Sequence, residues 1–207
     1  MDVLELPTME VRSWIAGAAR ECGYPAELAD VLGYSAWWLE NRSMGGVLRA
    51  VVYLLEIHGT KYSELQPQTR DERPLCLCPI TCGALLASRV LEDAAEFSEW
   101  TGGISTADPV LMAPSIALLL DYRFDVCLRF HDQDLVFSKH GITVLSKSLA
   151  AMSLINAETG VDTAIRLVDA NQSDAPPTWP YARKDTLRIP KFRYIEGGGF
   201  RFDRQQP

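Results

Sequence analysis

The sequence predicts an α+β protein: a small N-terminal helical bundle, then an antiparallel β meander, then an extended C-terminal arm. Three observations carry that class. Apolar residues recur at three- and four-residue spacing through the first third, apolar and polar residues alternate between Asp125 and Leu145, and prolines interrupt residues 171–207. Helices first and strands after is the order of an α+β fold rather than of alternating βα units.

The elements follow in order. Thr8 is placed to cap a first helix in which Val11, Trp14, Ile15, Ala18, Ala19 and Cys22 form one stripe, with Gly23 as its stop. Pro25 suits the first turn of a second helix whose Leu28, Val31, Leu32, Ser35, Trp38 and Leu39 share a face, and Asn41 ends it. A third helix from about Met44 to His58 presents Val47, Leu48, Val51, Val52 and Leu55, with Gly59 as a left-handed cap. Short connections make these three an antiparallel bundle. Residues 60–74 are polar and aperiodic and read as a surface loop. Leu75 to Cys78 is extended, because Pro79 disfavours helix at Cys78. A fourth helix runs from about Thr81 to Glu99 on Leu85, Leu86, Val90, Ala94 and Phe97, and Thr101-Gly102-Gly103 ends it. Ile116 to Leu120 reads as core. In the second half, Asp125 to His131 alternates, turns at Asp132-Gln133-Asp134 and returns through Leu135 to Phe137. Lys139-His140-Gly141 turns again into Ile142 to Leu145, and Ala164 to Val168 is a further strand. The organisation is residues 1–59 as the bundle, 60–170 as an α+β core packed on it, and 171–207 as the arm.

Composition narrows the function. The chain has 207 residues, 47% hydrophobic and 23% charged, enough for a substantial core. A net charge of −7 opposes general nucleic-acid binding, which needs a basic face. No apolar run approaches the ~20 residues that span a bilayer, so no membrane association is expected. The acidic start, Met1-Asp2-Val3-Leu4-Glu5, has no basic and apolar leader, so no signal peptide is expected. Five cysteines, an odd and clustered set, fit free thiols in a reducing cytoplasm. Dinucleotide, Walker, zincin and nucleophile-elbow motifs are absent, and no cofactor is expected. Charge is uneven: residues 171–207 carry seven Lys and Arg against four acids, while residues 1–170 carry thirteen against twenty-three. The arm is complementary to the body and can dock on it or on a neighbouring subunit.

The stretch Ala26 to Asn41 followed by Met44-Gly45-Gly46, the stretch Cys78-Pro79-Ile80 to Ala87, and the ending Glu196-Gly197-Gly198-Gly199-Phe200 resemble a bacterial family catalogued only as a domain of unknown function. That family has no assigned activity, so the resemblance implies no catalytic residue.

Candidate chemistry centres on Cys76-Leu77-Cys78-Pro79-Ile80-Thr81-Cys82-Gly83. Cys82 falls where a helix begins, and the positive end of the helix dipole favours a thiolate there. Gly83 beside it lets a substrate approach the backbone. Cys76, Cys78 and Cys82 are also three candidate metal ligands, although zinc sites usually draw on paired Cys-x2-Cys arms. The bland reading is three small apolar residues at a strand–helix junction. His131 and His140 are candidate bases. A two-residue loop at Gln133-Asp134 would set Phe130 against Phe137 and Cys127 against His140, a thiol–imidazole pair. As turn residues both histidines are more simply solvated. Ser146-Lys147-Ser148 has the residue types of Ser/Lys amidohydrolases but reads as a helix start capped by Ser146.

In the arm, Trp179, Tyr181, Phe192, Tyr194, Phe200 and Phe202 alternate with basic residues including Arg193 and Arg201. Such alternation stacks single-stranded nucleic acid in some proteins, but the acidic body opposes that here. Tyr, Phe and Arg are also enriched in protein interfaces. The leading expectation is therefore an accessory or interaction subunit of a cytoplasmic small-molecule enzyme complex, docking through the arm on a protein partner or on another copy. The alternative is a thiol enzyme of acyl or amide chemistry using Cys82 with His131 or His140. A zinc-stabilised fold through Cys76, Cys78 and Cys82 is the third.

Overall fold

The computed structural model describes residues 3–42, 44–70, 73–93, 99–130, 133–138, 141–144, 160–170, 186–190, 192–195 and 199–202. In chain order its first elements are β1 (Val3–Pro7), α1 (Thr8–Glu21), α2 (Ala26–Glu40), α3 (Gly46–Glu56) and a 3-10 turn (Tyr62–Leu65). There follow β2 (Gln68–Arg70), β3 (Arg73–Leu75), α4 (Pro79–Asp93), β4 (Glu99–Thr106) and α5 (Pro109–Leu119). The last are β5 (Phe124–Phe130), β6 (Gln133–Ser138), β7 (Gly141–Val144), β8 (Val161–Asp169), β9 (Thr186–Pro190), β10 (Phe192–Ile195) and β11 (Gly199–Phe202). The chain is an α+β protein with its helical bundle first, its meander after, and its C-terminal strands extended. Its contacts divide it into two compact units, Met1–Glu64 with Ala182–Pro207, and Leu65–Tyr181.

The first unit is the helical bundle closed by the C-terminal strands. α1 buries Val11, Ile15, Ala18 and Ala19 at the helical spacing and ends at Gly23, whose φ of +86° is the left-handed conformation of a helix stop. Tyr24 N–H reaches back to Ala19 O at 3.1 Å to satisfy a terminal carbonyl. α2 and α3 meet closely: a Cβ on Gly46 would lie 2.6 Å from Leu39 Cβ and 2.9 Å from Glu40 N. Glu40 also accepts a 3.0 Å bond from Val47 N–H, so the last residue of α2 supplies a carboxylate to the first turn of α3.

The C-terminal segment is extended but is not a free arm. β9 pairs antiparallel with β1, from Val3 opposite Pro190 to Pro7 opposite Thr186. The backbone groups of an isolated strand have no partner, and β1 supplies them. This placement answers the uneven charge. Residues 1–64 carry five basic against nine acidic residues, and 182–207 carry seven against three, so the first unit is neutral. Residues 65–181 carry eight against fifteen, so the second unit holds the whole net charge of −7.

The second unit is a seven-stranded sheet in the order β2-β3-β4-β8-β5-β6-β7 with α4 and α5 packed on it. All neighbours are antiparallel except β3 and β4, which meet in parallel at Leu75 opposite Ser105. Alternation works as the sequence predicts: Val126, Leu128 and Phe130 of β5 and Thr163, Ile165 and Leu167 of β8 are buried, while Arg129, Ala164 and Arg166 are exposed. Each large apolar side chain so buried contributes roughly 1.5–3 kcal/mol. α5 is buried without interruption from Pro109 to Ala117, with Asp108 capping Val110 N–H and Leu111 N–H at 2.8 and 3.2 Å.

Four expectations are corrected. Part of the region read as a surface loop forms β2 and β3. α4 starts at Pro79 and reaches Asp93, and Thr101-Gly102-Gly103 lies inside β4 instead of ending a helix. Thr8 is the first residue of α1, with Pro7 before it as the cap position. The β5–β6 register sets Phe130 opposite Gln133, Cys127 opposite Val136 and Val126 opposite Phe137. The connecting residues are His131 and Asp132, so Cys127 does not face His140. The expected register would have placed Lys139 opposite Leu128, a lysine on the core face. The observed one pairs Leu128 with Leu135 and lets Arg129 grip Asp134 across the strands at 2.6 and 3.1 Å. Among the described residues no helix is long and apolar enough to cross a membrane.

Candidate functional site

The thiol cluster sits where β3 hands over to α4. Cys76 N–H continues the parallel pairing by donating to Ser105 O at 2.9 Å, and Cys78 N–H donates to Leu65 O at 3.1 Å. Pro79 then opens α4, because its missing N–H is one a helix start cannot use. Cys78 therefore stands in the N-cap position. Its sulfur accepts from Thr81 N–H at 3.3 Å and from the Thr81 hydroxyl at 3.1 Å.

Cys82 lies a turn further in. Its N–H donates to Cys78 O at 2.9 Å, the first bond of the helix, and its sulfur lies 3.1 Å from Met112 Sδ of α5. Cys76, Cys78 and Cys82 are each 0% exposed. The Cys82 thiol donates to Cys76, and that bond, with burial behind it, pushes Cys82 well above the ordinary thiol range. Cys76 is lowered by the same bond, against its own burial. The Thr106 hydroxyl draws Cys82 downward, but more weakly than the groups that raise it.

A nucleophilic cysteine needs a thiolate and a path for its substrate, and Cys82 has neither. The helix dipole argues for a thiolate at this place; desolvation and donation to Cys76 outweigh it. Nor does Gly83 open the backbone to a substrate. A Cβ there would overlap Ser115 Oγ and lie 3.2 Å from Met112 O, so the close approach it permits is that of α5 to α4. Ser115 Oγ is itself tied to Met112 O at 2.6 Å.

Cys76, Cys78 and Cys82 are not arranged as metal ligands: among the described residues no group of three or more His, Cys, Asp or Glu is placed to hold an ion. Cys78 turns its sulfur to the Thr81 cap, which draws it out of any shared coordination sphere. His131 and His140 lie outside the described residues. What the arrangement does chemically is close a helix start and lock α4 to α5. Sequence reasoning missed Thr81, Thr106, Met112 and Ser115 as the neighbours of the thiols. Only Thr81 had a local signal, three residues after the cap position.

The second candidate region is C-terminal. Trp179 and Tyr181 lie outside the described residues. The other six, Phe192, Arg193, Tyr194, Phe200, Arg201 and Phe202, are brought into one antiparallel hairpin, with Phe192 opposite Phe202, Arg193 opposite Arg201, and Tyr194 opposite Phe200. Strand alternation then segregates them. Phe192, Tyr194, Phe200 and Phe202 occupy one face, and Arg193 and Arg201 the other with Ile195 and Gly199. The signal in the sequence was Glu196-Gly197-Gly198 between two short alternating runs, a hairpin pattern hidden by reading the arm as a single extended piece. Compared with known proteins, the chain matches no family model, no curated protein and no solved structure.

Proposed function

We propose that the chain is an interaction subunit, an accessory to a cytoplasmic enzyme complex of small-molecule metabolism, and that it docks on a protein partner through its C-terminal hairpin. The observation that carries this reading is the register of β10 and β11, which sorts four aromatic residues and two arginines onto opposite faces of one small element. Aromatic residues and arginine are the types that supply most binding energy at interfaces. A two-stranded hairpin of this size gains its stability from what it packs on. Burial of the thiol cluster supports the same reading from the other side, because it removes the nucleophile on which an enzymatic reading depended. The segregated faces favour a protein surface over a nucleic acid, which the net charge of −7 also disfavours.

The test is reconstitution. Tagged protein purified from its own cells is expected to bring down one enzyme in fixed stoichiometry, and that enzyme's turnover or stability should fall when the chain is omitted. The paired change Tyr194→Ala with Phe200→Ala should release the enzyme while α1 to α5 stay folded by circular dichroism. Turnover by the isolated chain, abolished by alkylation of Cys82, would defeat the reading.

A further inference from the structure

We propose that Cys76, Cys82 and Met112 bind one copper(I) ion in the core of the second unit. The site is independent of the C-terminal hairpin and of the interaction reading.

Three sulfur atoms converge there from separate elements. Cys76 follows β3, Cys82 lies in the opening turns of α4, and Met112 lies in the opening turn of α5. Cys82 Sγ is 3.1 Å from Met112 Sδ, closer than the roughly 3.5–4.0 Å at which even carbon atoms rest. The Cys82 thiol donates to Cys76, so one sulfur touches the other two. Cys76, Cys82 and Met112 are each 0% exposed, and water cannot compete as a ligand. Cys78 stays out of the group because its sulfur caps Thr81.

The donor set selects the ion. Two thiols and a thioether are soft ligands, the kind that takes copper(I). Zinc wants four ligands, and among the described residues no third His, Cys, Asp or Glu joins Cys76 and Cys82. Copper(I) takes the place of the proton between Cys82 and Cys76. Both thiols lose their protons, two copper–thiolate bonds form, the thioether lone pair makes a third, and the oxidation state of the metal is unchanged. Metal–sulfur bonds of about 2.3 Å hold three trigonal sulfurs about 4 Å apart. Met112 Sδ therefore has to draw back by about 1 Å, which its three rotatable bonds permit. The loaded cluster carries one net negative charge, and two features receive it. α4 begins beside it and turns the positive end of its dipole there. Thr106 is 0% exposed, and its hydroxyl has no hydrogen-bond partner in the protonated cluster. That hydroxyl faces Cys82 as a donor that a thiolate accepts. A buried polar group without a partner is costly, and the metal-bound thiolate supplies the acceptor.

The test uses the full chain carrying Cys22→Ser and Cys127→Ser, which removes the two partly exposed thiols. It is refolded from urea without oxygen, with copper(I) supplied as its acetonitrile complex, because access to a closed core requires α4 and α5 to part. After gel filtration, competition with a chromophoric copper(I) chelator should find one copper per chain. Release should become easier as pH falls, since protons compete for the thiolates. X-ray absorption at the copper edge should show sulfur ligands only. Met112→Leu, close in volume, should weaken retention at least about tenfold. Thr106→Val should weaken it about tenfold. Cys78→Ser keeps a capping residue and should hold copper as the parent does. Zinc(II) offered in the same way should not be retained. A chain that keeps no copper, a Cys78→Ser variant that loses it, nitrogen or oxygen ligands in the absorption spectrum, or zinc held as tightly as copper each overturns the proposal. So does a Met112→Leu variant that binds like the parent. If Met112→Leu shows no cooperative melt, Thr106→Val decides, and parental affinity there overturns the proposal.

Discussion

At Cys78 a sulfur occupies the cap position that serine, threonine or aspartate usually fills, and it does the same work by accepting from Thr81 N–H. Cys82, four residues on, holds its proton because its neighbours are another sulfur and a closed core. Mass-spectrometric mapping after brief iodoacetamide treatment of native protein should find label on Cys22 and Cys127, which are partly exposed, and none on Cys76, Cys78 and Cys82 until denaturant is added. Label on Cys82 at the rate of a free thiol would contradict the burial. The pH dependence has a definite sign. A thiol raised in the folded state keeps its proton while the unfolded chain begins to lose its own near pH 8.5. Its stabilisation is thus complete below that pH and is lost as pH rises through the folded value. Cys22, raised by burial and by Glu21, acts in the same sense, and Cys76 in the opposite one. Urea titrations between pH 7 and 10 should show stability declining at the alkaline end, with Cys82→Ala flattening the decline. From the sequence the cluster and the nearby helix start were legible, because both are local. Burial was not, because Met112 stands thirty residues from Cys82 in the chain.

Elements show the same division between local and distant causes. β5 and β8 alternate in burial, and β6 follows the turn after β5. The three N-terminal helices were legible from their spacing, although α3 buries Val47, Ala50, Val51, Tyr53 and Leu54 and leaves Leu48 of its expected stripe exposed. α5 was not, because a helix buried on every side has no apolar stripe to read. β4 was obscured by its glycine pair, which a local rule reads as a stop. β1 was missed because the strand that completes it comes some 180 residues later. Two consequences are measurable at this scale. Gly83→Ala forces α4 and α5 apart at their tightest point and should cost about 1–3 kcal/mol in urea unfolding, whereas Ser88→Ala on the exposed side of α4 should be near neutral. Leu187→Pro removes a backbone N–H from β9. Hydrogen exchange should then rise in residues 186–190 and 3–7 together, with β5 and β8 unaffected.

For the molecule as a whole, charge is distributed by unit. The basic C-terminal strands belong with the acidic N-terminal helices, and together they cancel, while residues 65–181 are left strongly acidic. Salt should therefore act in opposite senses. Between roughly 0.1 and 1 M the screening length falls from about 10 to about 3 Å. Exchange should become faster in β9, whose segment is held partly by attraction, and stay constant or slow in β5 and β8, whose unit repels itself. Uniform response of both would show that pairing and packing alone hold the C-terminal strands.

The pairing of β1 with β9 has a further consequence, for the order of synthesis. β1 leaves the ribosome early, but its partner is made only after the whole of Leu65–Tyr181. At about 5–20 residues per second the wait is roughly 10–40 s. During that time the second unit can finish folding, and the first offers an unmatched strand edge to whatever is near. A nascent chain arrested before Thr186 is thus the form in which this protein is most in need of a chaperone.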